Sequence, residues 1–278
     1  MNVLKLFSVI AVITLFISCK KENTIIPNDT DGLISAKSIS NATHNIIFYT
    51  QNGKFQQGYN KIFFQIKNLD GSLVTNATAN WKPLMHMTSM QHACPYSSVS
   101  KSANSNSLYE GFIVFQMAGN STEYWDLTIE YTIDNTTYTA TERIDVEAVT
   151  KKNVLSFKGS DNVSYVLAMV APSNPKVATN DMEAMLFKKE TMMSYPVVNN
   201  YTIKIDPRMT SMGNHGSPNN VDLKQTSLNG SYFGKLSLTM TGYWKINLQL
   251  ENESGTILKG EPVTATQESS SIFFEIEF

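Results

Sequence analysis

The chain is 278 residues long, 42% hydrophobic and 17% charged, with a formal net charge of −2. With charge this close to balance and no basic run, nothing argues for nucleic acid as a partner. The length suffices for two domains of ordinary size behind an export segment.

At the N-terminus Lys5 supplies a positive start, and residues 6–17 form an apolar stretch too short for a stable membrane span. It ends in Leu15-Phe16-Ile17-Ser18-Cys19, which resembles the lipobox of bacterial lipoproteins. The resemblance implies that residues 1–18 are a lipoprotein signal peptide and that Cys19 becomes the lipidated N-terminus. Several acyl chains on one cysteine meet the requirement for stable anchoring to a membrane without spanning it. Residues 19–41 are polar and lack apolar periodicity, which predicts a flexible tether. Lys20-Lys21-Glu22 resembles the charged surface-export signal of lipoproteins from the Bacteroidetes group. The expected address is the bacterial envelope, on the outer membrane, at its periplasmic or surface face. With Cys19 lipidated, Cys94 is the remaining thiol of the two cysteines, so no disulfide is expected.

Beyond the tether, apolar residues alternate over short runs separated by Gly, Asn and Asp. Residues 46–49, 61–66, 112–117, 125–132 and 136–146 read as strands rich in β-branched and aromatic types. Asp70-Gly71 and Asp134-Asn135 read as hairpin turns. A polar joint at residues 149–153 follows, and the same grammar restarts at 163–170, 182–187, 201–205, 233–241, 243–250 and 271–278. No helical period is sustained after the signal segment. These features predict an all-β protein of two tandem immunoglobulin-like antiparallel β-sandwich domains, at 42–149 and 153–278.

One short pattern occurs twice. Met87-Thr88-Ser89-Met90 precedes His92, and Met209-Thr210-Ser211-Met212 precedes His215; Met85 and His86 stand in front of the first copy. Three of the four histidines fall in these two segments, among Thr, Ser, Gln, Asn and Gly. Thioether and imidazole together are soft donors that suit copper. Met87, Met90 and His92, and in the second copy Met209, Met212 and His215, are the candidate ligands. Met85, His86, Cys94, Met117 and Met240 are further donors. The competing reading is packing: methionine fills irregular gaps, and a lone Cys94 is commonly a small buried hydrophobe. As loop residues the two Met-Met-His triplets are expected to bury little apolar area, so their removal should cost little stability, whereas alternation places Met117 and Met240 in strands with core residence as the competing reading.

The halves match further. Tyr109-Glu110-Gly111, Met117 and Trp125 correspond to Tyr232-Phe233-Gly234, Met240 and Trp244, and both tryptophans read as core anchors. The run Met209-Thr210-Ser211-Met212-Gly213-Asn214-His215-Gly216, then Gly230-Ser231-Tyr232 and Thr239-Met240-Thr241-Gly242-Tyr243-Trp244, resembles the YtkA-like and FixH-like families of extracytoplasmic domains. It departs from their pattern at Thr210, where proline is usual, and at Asn214, which is inserted before the histidine. Met192-Met193 is similar to a family segment ahead of the Met-His loop. The resemblance implies copper handling in the envelope.

Catalytic patterns are missing: no nucleophile elbow, no His-Glu-x-x-His, no phosphate-binding glycine loop. The reading is a non-enzymatic envelope lipoprotein that binds copper for storage, delivery or sensing, with a metal-receiving protein as a candidate partner. Its alternative is a structural or interaction module that binds a protein or glycan without metal.

Overall fold

A computed structural model describes residues 29–103 and 105–278. The signal segment, Cys19 and Lys20-Lys21-Glu22 lie outside the described residues.

The first domain runs through β1 (Ile34–Ser40), β2 (His44–Thr50), β3 (Phe55–Gln56), β4 (Gly58–Asn68), β5 (Thr78–His86) and β6 (Gln91–His92). It continues through β7 (Ser100–Lys101), β8 (Tyr109–Phe115), β9 (Tyr124–Ile133), β10 (Thr136–Ile144) and β11 (Val146–Glu147). One sheet has the order β1-β2-β4-β8-β7 and the other β10-β9-β5-β6, while β11 pairs with β3. Alternation decides which face turns inward. In β2 it is His44, Ile46, Phe48 and Thr50; in β9 it is Trp125, Leu127, Ile129 and Tyr131. These inner faces meet in one core with Phe64, Trp81 and Phe115. At the β9–β10 hairpin Asp134 and Asn135 both take positive φ, 45° and 64°, the conformation that a two-residue turn between twisted strands requires.

The second domain comprises β12 (Val154–Lys158), β13 (Ser164–Ala171), β14 (Ala178–Lys188), β15 (Thr202–Met209) and β16 (His215–Gly216). It ends with β17 (Val221–Gln225), β18 (Tyr232–Leu238), β19 (Tyr243–Glu251), β20 (Ile257–Lys259) and β21 (Phe273–Glu277). The order β12-β13-β14-β18-β17 repeats that of the first domain's larger sheet, and β15-β19-β21 repeats β5-β9-β10. Here the layers join into one folded sheet, because β17 pairs with β18 and with β15 across a register shift between Val221 and Lys224. Trp244, Leu236, Leu248 and Phe274 lie at the centre of its core.

The described residues are all-β apart from one 3₁₀ turn, Thr210–Met212, as the alternation implies. Two boundaries need correction. Residues 34–40 belong to the first domain rather than to a tether: β1 pairs antiparallel with β2. Its sequence, Ile-Ser-Ala-Lys-Ser-Ile-Ser, fully buries only Ile39, so it carries almost no periodic signal. The strand read at 201–205 extends to Met209 as β15, and β5 has no counterpart in the sequence reading; each contains a proline. Pro83 and Pro207 are tolerated since β6 and β16 pair only with the last residues of those strands, which leaves an open edge at the proline.

The domains share a third core. Val114 of the first packs with Val154, Val166, Met185 and Phe187 of the second, and the Phe112 and Phe187 rings lie 6.1 Å apart.

Candidate metal centre

Both Met-His segments are hairpins at one end of their sandwich. In the first, Met85 faces His92 and His86 faces Gln91 across β5 and β6, and the Met87 N–H donates to the Met90 carbonyl at 2.9 Å to close the turn. Facing residues share a face, and so do alternate residues along a strand. Met85, Met87, Met90 and His92 therefore lie on one face of the hairpin. Depth grades along it: Met85 is 0% exposed, Met87 packs half-buried against the core, and Met90 at the tip is 47% exposed.

His92 is held by its ring. Nδ1 lies 2.7 Å from the Ala93 carbonyl, which only accepts, so Nδ1 donates and the lone pair of the neutral ring falls on Nε2. A backbone carbonyl on the second ring nitrogen is the arrangement that orients metal-binding histidines. This imidazole and the Trp125 ring meet at 5.7 Å in a T-shaped contact.

His86 points to the opposite face. Its Nδ1 accepts from the Gln91 amide at 2.9 Å, its ring stacks on Tyr124 at 4.8 Å, and Nε2 lies 2.8 Å from Asp126. The carboxylate is out of line with the N–H, so this last contact is electrostatic rather than a formed hydrogen bond. His86 is thus separated from the sulfurs. Cys94 is buried in the core, and burial pushes its thiol well above the ordinary range. A thiolate ligand of blue-copper type is opposed by that environment.

In the second hairpin Met209 faces His215 across β15 and β16. Met209 is 2% exposed in the core, whereas Met212, in the 3₁₀ turn, is 57% exposed and His215 is also exposed. Gly213 and Asn214, at φ 63° and 60°, spread this turn. Arg208 sits behind it, bonded to Asp206 at 2.7 Å. Met117 and Met240 are equivalent: each carbonyl accepts the indole N–H of its domain's tryptophan, Trp125 or Trp244, at 3.0 Å. Both side chains are half-buried against the cores.

Two corrections follow. The structural counterpart of Met209 is Met85 rather than Met87, because Met85 and Met209 each face the histidine of their hairpin. The sequence signal for this was Pro83-Leu84-Met85 beside Pro207-Arg208-Met209. The second correction concerns stability: Met209 is a core residue, His92 is buried beside Trp125 and Met87 packs against the first core, so removing either triplet is not a surface change.

Among the described residues no group of three or more His, Cys, Asp or Glu is placed to hold a metal ion.

No known family model matches the chain, and no curated protein does. Solved structures similar to it include the Escherichia coli adhesin FdeC, at 12% identity over 82% of this chain, with a TM-score of 0.24. The chain spans 64% of that adhesin's length. A titin Z1Z2 tandem chimera is similar at 12% identity over 80% of this chain and 93% of its own, with a TM-score of 0.19. The titin Ig tandem A164-A165 is similar at 11% over 73% and 88%, with a TM-score of 0.18.

Proposed function

We propose that the protein is an envelope lipoprotein that binds Cu(I) at the β5–β6 hairpin for storage, delivery or sensing, held to the outer membrane through Cys19. The observation that carries this reading is the gathering of Met87, Met90 and His92 on one hairpin face, with Met85 beneath them and His92 Nδ1 held by the Ala93 carbonyl. One imidazole and two thioethers make a soft trigonal set, and thioethers stay competent in acid because they need no deprotonation. At the second hairpin, Met209 and His215 with Met212 form a looser set, which supports a weaker second site.

The test is titration of the full chain with Cu(I) against a competing chelator. The parent should take up copper, and His92→Ala combined with Met87→Ala and Met90→Ala should remove the tighter equivalent without unfolding. Unchanged uptake by that variant would refute the site. Anchoring is tested separately: Cys19→Ser should abolish lipid labelling, and persistent labelling would sink it.

A second reading has its own support, since Met85 and Met209 lie in the cores as packing residues do. On that reading the sandwiches bind a protein or glycan without metal, and the parent takes up no copper at all.

A further inference from the structure

The first hairpin is not free-standing. Ala93, the residue after His92, donates its backbone N–H to the carbonyl of Met192 in the second domain at 2.9 Å. The Ala93 carbonyl is the group that accepts the His92 Nδ1 proton at 2.7 Å. One peptide neighbour therefore ties the imidazole to a residue of the other domain.

Met192 occupies a tight turn beyond β14. The N–H groups of Glu190 and Thr191 converge on the Ser194 carbonyl at 3.0 and 3.4 Å, and Thr191 Oγ1 accepts from the Met193 N–H at 3.1 Å. The turn is seated on the junction: Val197 bridges to Phe187, and Tyr195 and Val197 pack on the shared core. Burial first, and then Cys94 in the segment that follows His92, push the Tyr195 phenol up to about 12. Met192 is half-buried there, whereas Met193 beside it is 43% exposed. A methionine side chain has three flexible bonds and a soft sulfur, enough reach to act on an imidazole next to its hydrogen-bonded neighbour.

We propose that Met192 supplies a further thioether to the first-domain site, so that a bound Cu(I) is held by both domains at once. This rests on the copper reading above and adds to it. Coordination uses the Met192 sulfur lone pair, with no proton or electron moved.

The experiment uses the full chain labelled with ¹³C at the methionine methyl groups and titrated with Cu(I) under reducing conditions. The Met192 methyl resonance should shift in step with those of Met87 and Met90, while that of Met193 stays in place. Met192→Leu, which keeps volume and apolarity, should weaken Cu(I) binding by at least about tenfold and leave the melting temperature of the metal-free protein unchanged. If Met87 and Met90 shift while Met192 does not, and Met192→Leu binds as the parent does, this inference fails and the hairpin site stands. If no methionine methyl shifts and no copper is taken up, the copper reading itself fails and takes this one with it.

Discussion

Among the methionines of the two hairpins, depth separates two jobs. Met85 and Met209 lie in the cores, whereas Met90 and Met212 stand in solvent. Met85→Ala should cost ~2–5 kcal/mol, since it leaves a cavity among packed side chains. Met90→Ala should stay within ~0.5 kcal/mol of the parent, as surface changes do. Urea denaturation of the two variants checks this, and equal stability would remove the core role of Met85. Met85→Leu keeps the volume and deletes the sulfur, so it isolates any contribution of that thioether to copper from its contribution to the fold. At this scale the sequence singled out the two segments that fold into the hairpins. It left open which sulfur is buried, because that depends on strands β8 and β9, distant along the chain.

At the level of strands, the repeated tyrosine and glycine have a shared physical cause. The Tyr109 hydroxyl accepts from the Ala77 N–H at 3.1 Å, and the Tyr232 hydroxyl accepts from the Tyr201 N–H at 3.4 Å. Each pins the start of the strand that ends in a Met-His hairpin, β5 or β15. Two residues later, Gly111 and Gly234 mark close approaches. A Cβ on Gly111 would meet the Trp81 ring at 2.6 Å, and one on Gly234 would clash with the Val221 carbonyl. The second clash is with backbone in the strand where the sheet passes from one layer to the other. Gly234→Ala should therefore destabilise the second domain by ~1–3 kcal/mol, the usual cost of overpacking. Thermal unfolding measures it, and a neutral outcome would show that β17 yields freely. Alternation made most strands legible in the sequence. Strand β1 was not, because an edge strand of small and polar residues acquires its burial from its neighbours.

For the molecule as a whole, the junction core predicts that the two sandwiches unfold together rather than as beads on a string. Phe187 is buried there against Phe112. Phe187→Ala should cost ~3–5 kcal/mol and split a single calorimetric transition into two, because interdomain burial is what couples them. Two transitions already present in the parent would contradict the coupling. The same junction places the Met192 turn beside the first hairpin. A site spanning both domains would load copper and fix their relative geometry in one step.

The sequence by itself determined the all-β class, the tandem repeat with its equivalent tryptophans, and the β9–β10 turn. Each of these is written in period, spacing or a local φ preference, which a stretch of chain carries without help. Tertiary structure alone decided the repeat's register, the burial of Met85, Met209 and Cys94, and the meeting of Ala93 with Met192. The register was hidden for a specific reason. Met85 and Met87 are two residues apart and share a face, so a slip from one to the other preserves alternation and leaves the pattern unchanged. Only the pairing of β5 with β6, and of β15 with β16, distinguishes them.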